Sequence, residues 1–345
     1  MARHADDEER GSRRQRAMRR ASRRALEWPV EATDLVAGGG SLLTLPGVGR
    51  WLETVIGSWI DQGVEPFSPP DVRAGFLTRT EVDRILETAP QWRDAVRCDL
   101  QLHTLTSDGH APLEAMAREC AALGYSHLAV TDHSQGLPIA NGMQPATLAQ
   151  QAVEVKELNQ ALAAEGIDCR VLHGIEMNLS PEGEGDTDPA VLGSLDVVLG
   201  AFHSKLRLKD DQTDRYISAL RNPTVDVLAH PRGRIYNHRV GLSPRWDLVF
   251  EAAAELGVAV EVDSYVDRQD LDVDLLRLAA RYEVWLTVDT DAHHPIDLAS
   301  MRFGVAALAA AGIPPERVLN TLPLEGLTAW VAERRARAAR RPSAT

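Results

Sequence analysis

Residues 96–103, VRCDLQLH, and residues 127–133, HLAVTDH, decide the fold. Each is a short apolar run that ends in a histidine, and a stretch with helical periodicity, PLEAMARECAALG at 112–124, lies between them. This alternation continues along the chain and is typical of βα units that build a parallel sheet. Seven strands are predicted, and the other five are CRVLHGIE (169–176), DVVLGAFH (196–203), VDVLAH (225–230), VAVEVDS (258–264) and VWLTVDTDAH (284–293).

Nearly every predicted strand ends in a side chain that can bind a metal ion. In a barrel, the carboxyl ends of parallel strands converge on one mouth, where the active site lies. One terminal histidine is explained more simply as a hydrogen-bonded core residue. Six strands that share the pattern predict a common metal-binding mouth. Its candidate ligands are His103, His133, Glu176, His203, His230, Asp291 and His293.

The predicted ligands are nitrogen and oxygen donors, which suit zinc, manganese or iron, and the sequence leaves that choice open. The three cysteines, Cys98, Cys120 and Cys169, form no CxxC pair, and we expect them to be reduced thiols in the core. Clustered divalent cations lower the pKa of a bound water and hold the oxygens of a phosphoester. Phosphoester hydrolysis is therefore the leading chemistry.

A small helical segment is predicted before the barrel. Residues 33–51, TDLVAGGGSLLTLPGVGRW, are apolar and periodic, and they are interrupted at Pro46-Gly47-Val48-Gly49. This pattern predicts two short helices joined by a tight turn. The helix expected from about Arg50 would present free backbone N–H groups that suit a phosphate. A plain helical turn explains the same residues equally well. Residues 67–95 then predict a linker and one amphipathic helix.

Positive charge collects at both ends of an acidic chain. Residues 1–25 contain nine arginines against four acidic residues, and residues 331–345 contain five against one, whereas the net charge is −13. Both ends are predicted to be solvated tails, with attraction to a nucleic-acid backbone as the alternative. The chain has no run of about 18 apolar residues and no apolar signal segment, so we expect no membrane span and a cytoplasmic protein.

Seven motifs together resemble the polymerase-and-histidinol-phosphatase (PHP) family. They span roughly residues 96–325, and the PHP module at the C-terminus of bacterial family X DNA polymerases is the most similar. Those polymerases also carry a helix-hairpin-helix, which LPGVG at 45–49 resembles, whereas their polymerase palm has no counterpart here. The motifs, in chain order, are DLQLHT, SDG, VTDHS, GIEMN, AFHSK, LAHPRGR and TDAHH.

The resemblance implies an α/β fold, a distorted (βα)7 TIM-like barrel, that binds two to three divalent metal ions. It also implies three ligand sets. Gln101, His103, Glu176 and Asp291 would hold the first metal, Glu176, His203 and His230 the second, and Asp108, His133 and His293 the third. Gln101 stands where the family has histidine. An amide oxygen is a weaker zinc ligand than an imidazole, so the first metal should bind less tightly or be manganese.

The resemblance also implies roles outside the ligand sets. Arg234 and Arg268 would contact phosphate, and Gly47, Gly49 and Arg50 would contact the DNA backbone. The general acid would be a bound water or Asp108. The predicted function is metal-dependent phosphoester hydrolysis at DNA 3′ ends. A small-molecule phosphatase of the histidinol-phosphate type and a catalytically weakened, metal-bound DNA-binding module remain open. The predicted segments are a disordered basic tail (1–28), a small all-α helix-hairpin-helix (29–66), a linker and helix (67–95), the barrel (96–330) and a basic tail (331–345).

Overall fold

The computed structural model of the chain describes residues 13–63 and 68–341. Within them, seven strands form one parallel sheet whose spatial order is the chain order. This arrangement confirms the seven predicted strands. They are β1 (Cys98–Asp99), β2 (His127–Val130), β3 (Arg170–Leu179), β4 (Val197–Phe202), β5 (Val227–Leu228), β6 (Ala259–Asp263) and β7 (Leu286–Asp289).

The two edges of the sheet meet beyond β1 and β7, so that the sheet curls into a barrel. Leu102 forms a parallel bridge with Ala292, and the His103 backbone N–H donates to the Ala292 carbonyl over 2.8 Å. Deeper in the barrel, the Leu100 N–H donates to the Asp289 carboxylate at 2.7 Å. These contacts confirm the predicted α/β barrel.

Helices follow the strands and cover the outside of the barrel. All six residues of β4 are buried, because a strand between an interior and a helical layer has no solvent face. The three cysteines are buried and free, as expected. The helices after successive strands are α5 (Leu113–Ala122), α6 (Pro145–Ala164), α7 (Pro189–Leu192), α8 (Thr213–Arg221), α9 (Trp246–Leu256), α10 (Val273–Ala279) and α11 (Met301–Ala310).

The front of the chain forms a helical unit with its own apolar cluster. Its helices are α1 (Arg13–Arg24), α2 (Ala32–Ala37), α3 (Arg50–Gln62) and α4 (Arg79–Glu87). Met18 and Leu52 are buried in the cluster that joins α1 to α3. Helix α3 begins at Arg50, as predicted, while a 3-10 helix at Leu42–Thr44 lengthens the expected tight connection from α2.

Both predicted tails are wrong where the structure describes them. Residues 13–24 form α1, because Met18 and Ala21 have an apolar cluster to pack against. At the other end, α12 runs from Leu324 to Ala339, and its Arg334 is buried against Asp226. Residues 1–12 and 342–345 of the two predictions lie outside the described residues, as do residues 64–67 of the predicted front segment and linker.

Within residues 13–63 and 68–341, no helix combines the length and the apolar character that a membrane span requires.

Candidate metal centre

Glu176 is the centre of the site. It lies near the carboxyl end of β3, is fully buried, and has four histidines around its carboxylate. Its Oε1 lies 2.7 Å from His230 Nε2 and 3.1 Å from His203 Nε2. Its Oε2 lies 2.9 Å from His133 Nδ1 and 3.4 Å from His103 Nε2. Side chains that follow four other strands thus meet at one carboxylate, as the strand-end pattern predicted.

Two aspartates extend the cluster on the β7 side. Asp291 Oδ1 lies 2.9 Å from His103 Nε2. Asp108 Oδ1 lies 3.4 Å from the Nε2 atoms of both His133 and His293. Possible ligand atoms lie within 4.8 Å of one another in three overlapping groups, which are His103 with Glu176 and Asp291, His133 with Glu176 and His203, and His103 with Asp108, His133 and His293.

Backbone geometry helps to aim two of these side chains. His230 and Asp291 have positive φ angles of 25° and 51°, which are unusual for residues with a Cβ. Such a conformation costs roughly 1–3 kcal/mol and persists where the surroundings enforce it. Each residue lies two positions past the end of its strand, so the sharp backbone turn places it at the mouth.

Charge pairing holds the cluster together. Burial disfavours the charged form of His133, but Glu176 and Asp108 beside it raise its pKa to about 10. Burial also opposes the charge on His293, and a hydrogen bond to Asp108 raises its pKa to about 9. Burial opposes ionisation of Glu176, yet the neighbouring histidines hold its pKa well below the usual range. Carboxylates and imidazoles in the mouth therefore stabilise one another's charge.

The cluster fits divalent metal ions. Four buried polar atoms in it form no well-aligned hydrogen bond, although three of them lie within 3.4 Å of an atom of opposite charge. They are both ring nitrogens of His103, Nδ1 of His133 and Oε2 of Glu176. Leaving such atoms unpaired is costly unless another partner satisfies them. Imidazole nitrogens beside carboxylate oxygens are the donor set of zinc, manganese and iron.

Gln101 is fully buried beside Glu261, on β6. When the amide is oriented with its nitrogen toward Glu261, that nitrogen donates to both carboxylate oxygens, at 2.8 Å for Oε2. With the nitrogen engaged in this way, the amide oxygen is the atom left to face a cation. Gln101 therefore remains a candidate ligand.

Part of the barrel matches a known protein domain. Residues 99–269 match the PHP domain. The barrel thus contains a PHP domain. One relative, the DNA polymerase/3′-5′ exonuclease PolX of Bacillus subtilis, is 34% identical over 270 residues, which are 77% of this chain and 46% of that protein. The chain thus spans about half the length of that relative.

Shorter relatives match along nearly their whole length. A protein described as a probable phosphatase in Edwardsiella ictaluri is 28% identical over 240 residues, which are 65% of this chain and 90% of that protein. Among solved structures, the histidinol phosphate phosphatase of Lactococcus lactis, complexed with zinc, L-histidinol and phosphate, has 17% identity and a TM-score of 0.49. The match covers 63% of this chain and 94% of that one.

The two arginines predicted to contact phosphate differ in position. Arg268 lies at the PHP mouth, a quarter exposed, with a guanidinium nitrogen 3.0 Å from Asp291 Oδ2 and another 3.7 Å from Asp263 Oδ2. These neighbours hold the pKa of Arg268 above its usual value against the opposing effect of burial. Arg268 is therefore a fixed positive charge beside the ligands.

Arg234 does not reach the mouth, and its predicted phosphate contact is wrong. Its guanidinium donates to the backbone carbonyls of Ala74 and Gly75 in the front segment, and to those of Arg268 and Gln269. It also stacks over the Phe76 ring at 3.9 Å. Arg234 fastens the segment before α4 to the barrel, and these contacts occupy it.

Several supporting residues of the site were not predicted. Asn178 Oδ1 lies 3.1 Å from His203 Nδ1, and the two-residue period of β3 places it on the same face as Glu176. Asp132 accepts hydrogen bonds from the backbone N–H and hydroxyl of Thr104, at 2.8 and 2.7 Å. Their positions, two residues after Glu176 and immediately before His133, are the signal that could have identified them.

The three predicted DNA-contacting residues lie in the front unit. Gly47 has a φ of 83° in the turn before α3, where its Cα faces the Arg24 side chain, and Gly49 caps α3 without a side-chain hydrogen bond. Both glycines and Arg50 are exposed. The first backbone N–H groups of α3 are not bonded within the helix, and such groups suit a phosphate. The DNA contact stays a prediction.

Proposed function

We propose that this metal-dependent phosphoester hydrolase of the PHP family acts on phosphoesters at the 3′ ends of DNA, as an exonuclease or a 3′-phosphatase. The observation that carries the hydrolytic chemistry is the buried Glu176 carboxylate surrounded by four histidines. Support for DNA comes from the similarity to PolX, whose name includes a 3′-5′ exonuclease.

The residues of the mouth divide into three sets of metal ligands. Bound divalent ions would lower the pKa of a water molecule and neutralise phosphoryl oxygens. Glu176 would take part in two sets, because its two oxygens face different histidines. The sets are Gln101, His103, Glu176 and Asp291 for the first ion, Glu176, His203 and His230 for the second, and Asp108, His133 and His293 for the third.

Arg268 would orient the substrate. Its guanidinium is held by Asp291 and Asp263 and remains partly exposed at the mouth. A planar guanidinium can donate two parallel hydrogen bonds to a phosphoryl group. Asp108 Oδ1 lies 3.4 Å from the Nε2 atoms of both His133 and His293, so the third ion would occupy its carboxylate and leave it unavailable as a general acid. We therefore assign Asp108 to metal binding alone.

A small-molecule phosphatase is the second candidate. It is favoured by coverage, since the chain covers 90% of the probable phosphatase of Edwardsiella ictaluri but 46% of PolX. A catalytically weakened DNA-binding module is the third, because Gln101 replaces a stronger ligand.

The test compares substrates with purified protein and manganese. The proposal expects nucleotides or phosphate to be released from 3′-recessed and 3′-phosphorylated oligonucleotides, with slower turnover of histidinol phosphate and p-nitrophenyl phosphate. Hydrolysis of the small esters alone would support the second candidate, and no hydrolysis of any substrate would support the third.

A pair of variants tests whether the activity comes from the mouth. His203→Gln should lower the rate by about 100-fold or more, since loss of a metal ligand removes several kcal/mol of transition-state stabilisation. His238→Gln changes an exposed histidine that is not among the candidate ligands, and it should leave the rate unchanged. Equal rates for both variants would show that the observed activity does not come from this site.

A further inference from the structure

A groove lined by arginines adjoins the mouth. Its volume is about 760 Å³, and one wall is helix α1. We call it the arginine groove and define it by the arginines that line it, which are Arg20, Arg23 and Arg24 of α1 together with Arg79 and Arg302.

Positive charge in the groove exceeds what its neighbours neutralise. The acidic lining residues are Glu27 and Asp297. The Asp297 carboxylate already accepts from backbone N–H groups at the start of its own turn. Among the described residues, no carboxylate lies within ion-pair distance of Arg20 or Arg24, whereas Asp83 neutralises part of the opposite wall. The groove is thus a basic surface on an acidic chain.

The groove adjoins a cavity at the metal centre. A second cavity of about 490 Å³ contains Asp291, His293 and Arg268. Arg23 and Tyr265 line both cavities. A chain molecule with one end at the ligands could therefore continue along α1 without leaving the surface.

Helix α1 is fixed to the rim of the barrel by specific contacts. Arg23 lies 2.6 Å from Asp267, in the loop after β6. The Ser22 hydroxyl lies 3.1 Å from the hydroxyl of Tyr236, in the loop after β5. With Met18 buried on the inner face of α1, these contacts hold the outward arginines in place beside the mouth.

Apolar side chains line the groove together with the arginines. Tyr265 and Ile296 line the groove, and Ile296 is 75% exposed. Basic grooves that hold single-stranded nucleic acid combine backbone-contacting arginines with apolar or aromatic faces for the bases.

We propose that the arginine groove binds the phosphodiester backbone of a single polynucleotide strand whose 3′ end lies in the metal centre. The choice of a 3′ end rests on the proposed function. Arg20 and Arg24 would contact successive phosphates upstream of the end, and Tyr265 and Ile296 would contact bases. A small phosphomonoester would fill the mouth and leave the groove empty.

The test is the double variant Arg20→Gln/Arg24→Gln. Its control, Arg19→Gln/Arg281→Gln, removes the same charge from exposed arginines that do not line the groove. Fluorescence anisotropy would measure binding of labelled (dT)12 over a range of salt concentrations, and kinetics would measure KM for (dT)12 and for p-nitrophenyl phosphate. Thermal unfolding would confirm that both variants are folded.

We expect the groove variant to bind (dT)12 about tenfold more weakly than the control. The slope of log affinity against log salt should fall by about 1.4, because each single-strand phosphate contact contributes about 0.7. KM should rise for (dT)12 and stay unchanged for p-nitrophenyl phosphate. Equal affinities and slopes in the two variants would overturn the proposal that the arginine groove binds the strand. Groove-dependent binding without hydrolysis of either (dT)12 or its 3′-phosphorylated form would support the groove and contradict the proposed function.

Discussion

At the scale of the residue, the site depends on the contacts of the Glu176 carboxylate and of the Gln101 amide. Glu176 contacts four histidines, and this is possible because its two oxygens face opposite sides of a buried mouth. Gln101 departs from the histidine of the PHP motif, and its amide nitrogen is engaged by Glu261. The proposed first metal would therefore be held by a neutral oxygen at this position, where an imidazole would bind more strongly.

The first prediction concerns this residue. Gln101→His should strengthen zinc binding at the first set by about tenfold, the lower end of the effect that changes around metal ligands produce. Competition with a chromophoric chelator would measure the affinity. Gln135→His adds a histidine at an exposed position and serves as the control, with no expected gain. An unchanged affinity in Gln101→His would show that residue 101 is not a ligand.

At the scale of the element, the two basic ends are structural parts of the fold. Helix α12 places Arg334 and Arg335 on Asp226, at 2.5 and 2.7 Å, at the start of the β5 segment. Asp226 is fully buried and Arg334 nearly so, and Asp226 also accepts from the Val198 N–H. Arginines that the sequence predicts to lie in a solvated tail thus anchor α12 to the barrel.

The second prediction follows from that buried pair. Asp226→Asn should lower the free energy of unfolding by about 3–5 kcal/mol, because it leaves the Arg334 charge buried without a counter-ion. Urea unfolding would measure the change. Asp274→Asn removes an exposed carboxylate paired with Arg277, and the expected loss is below about 1 kcal/mol. A small effect for both variants would mean that the α12 pair contributes little to stability.

At the scale of the whole molecule, metal binding and folding should be coupled. The ligands come from segments that stretch from residue 101 to residue 293, so they converge only in the folded barrel. A ligand that binds the folded state alone stabilises it by mass action.

The third prediction is that manganese or zinc raises the melting temperature and that a chelator lowers it. A metal concentration of about 100 times Kd should add about 2.7 kcal/mol to the free energy of unfolding. Differential scanning calorimetry would measure both changes. A variant with His203→Gln and Asp291→Asn should respond much less. Melting temperatures that are independent of metal in the unmodified protein would contradict the metal centre.

The sequence by itself determined the fold and most of the candidate site. Seven short apolar runs separated by helical periodicity predict a parallel barrel, since side-chain alternation and helix spacing are local properties. A polar residue at a strand end needs no further information to be placed at the mouth, because every parallel strand ends there. His103, Glu176 and Asp291 were found in this way and lie together.

Only the tertiary structure decided where long side chains point and which ends of the chain are packed. Arg234 follows His230 closely in sequence, yet its guanidinium contacts Ala74 and Gly75, which are about 160 residues away. The partners of α1 lie in the loops after β5 and β6. Such contacts depend on surfaces built from distant segments, which no local pattern encodes. The sequence therefore placed the metal ligands, and the packing decided which arginines lie beside them.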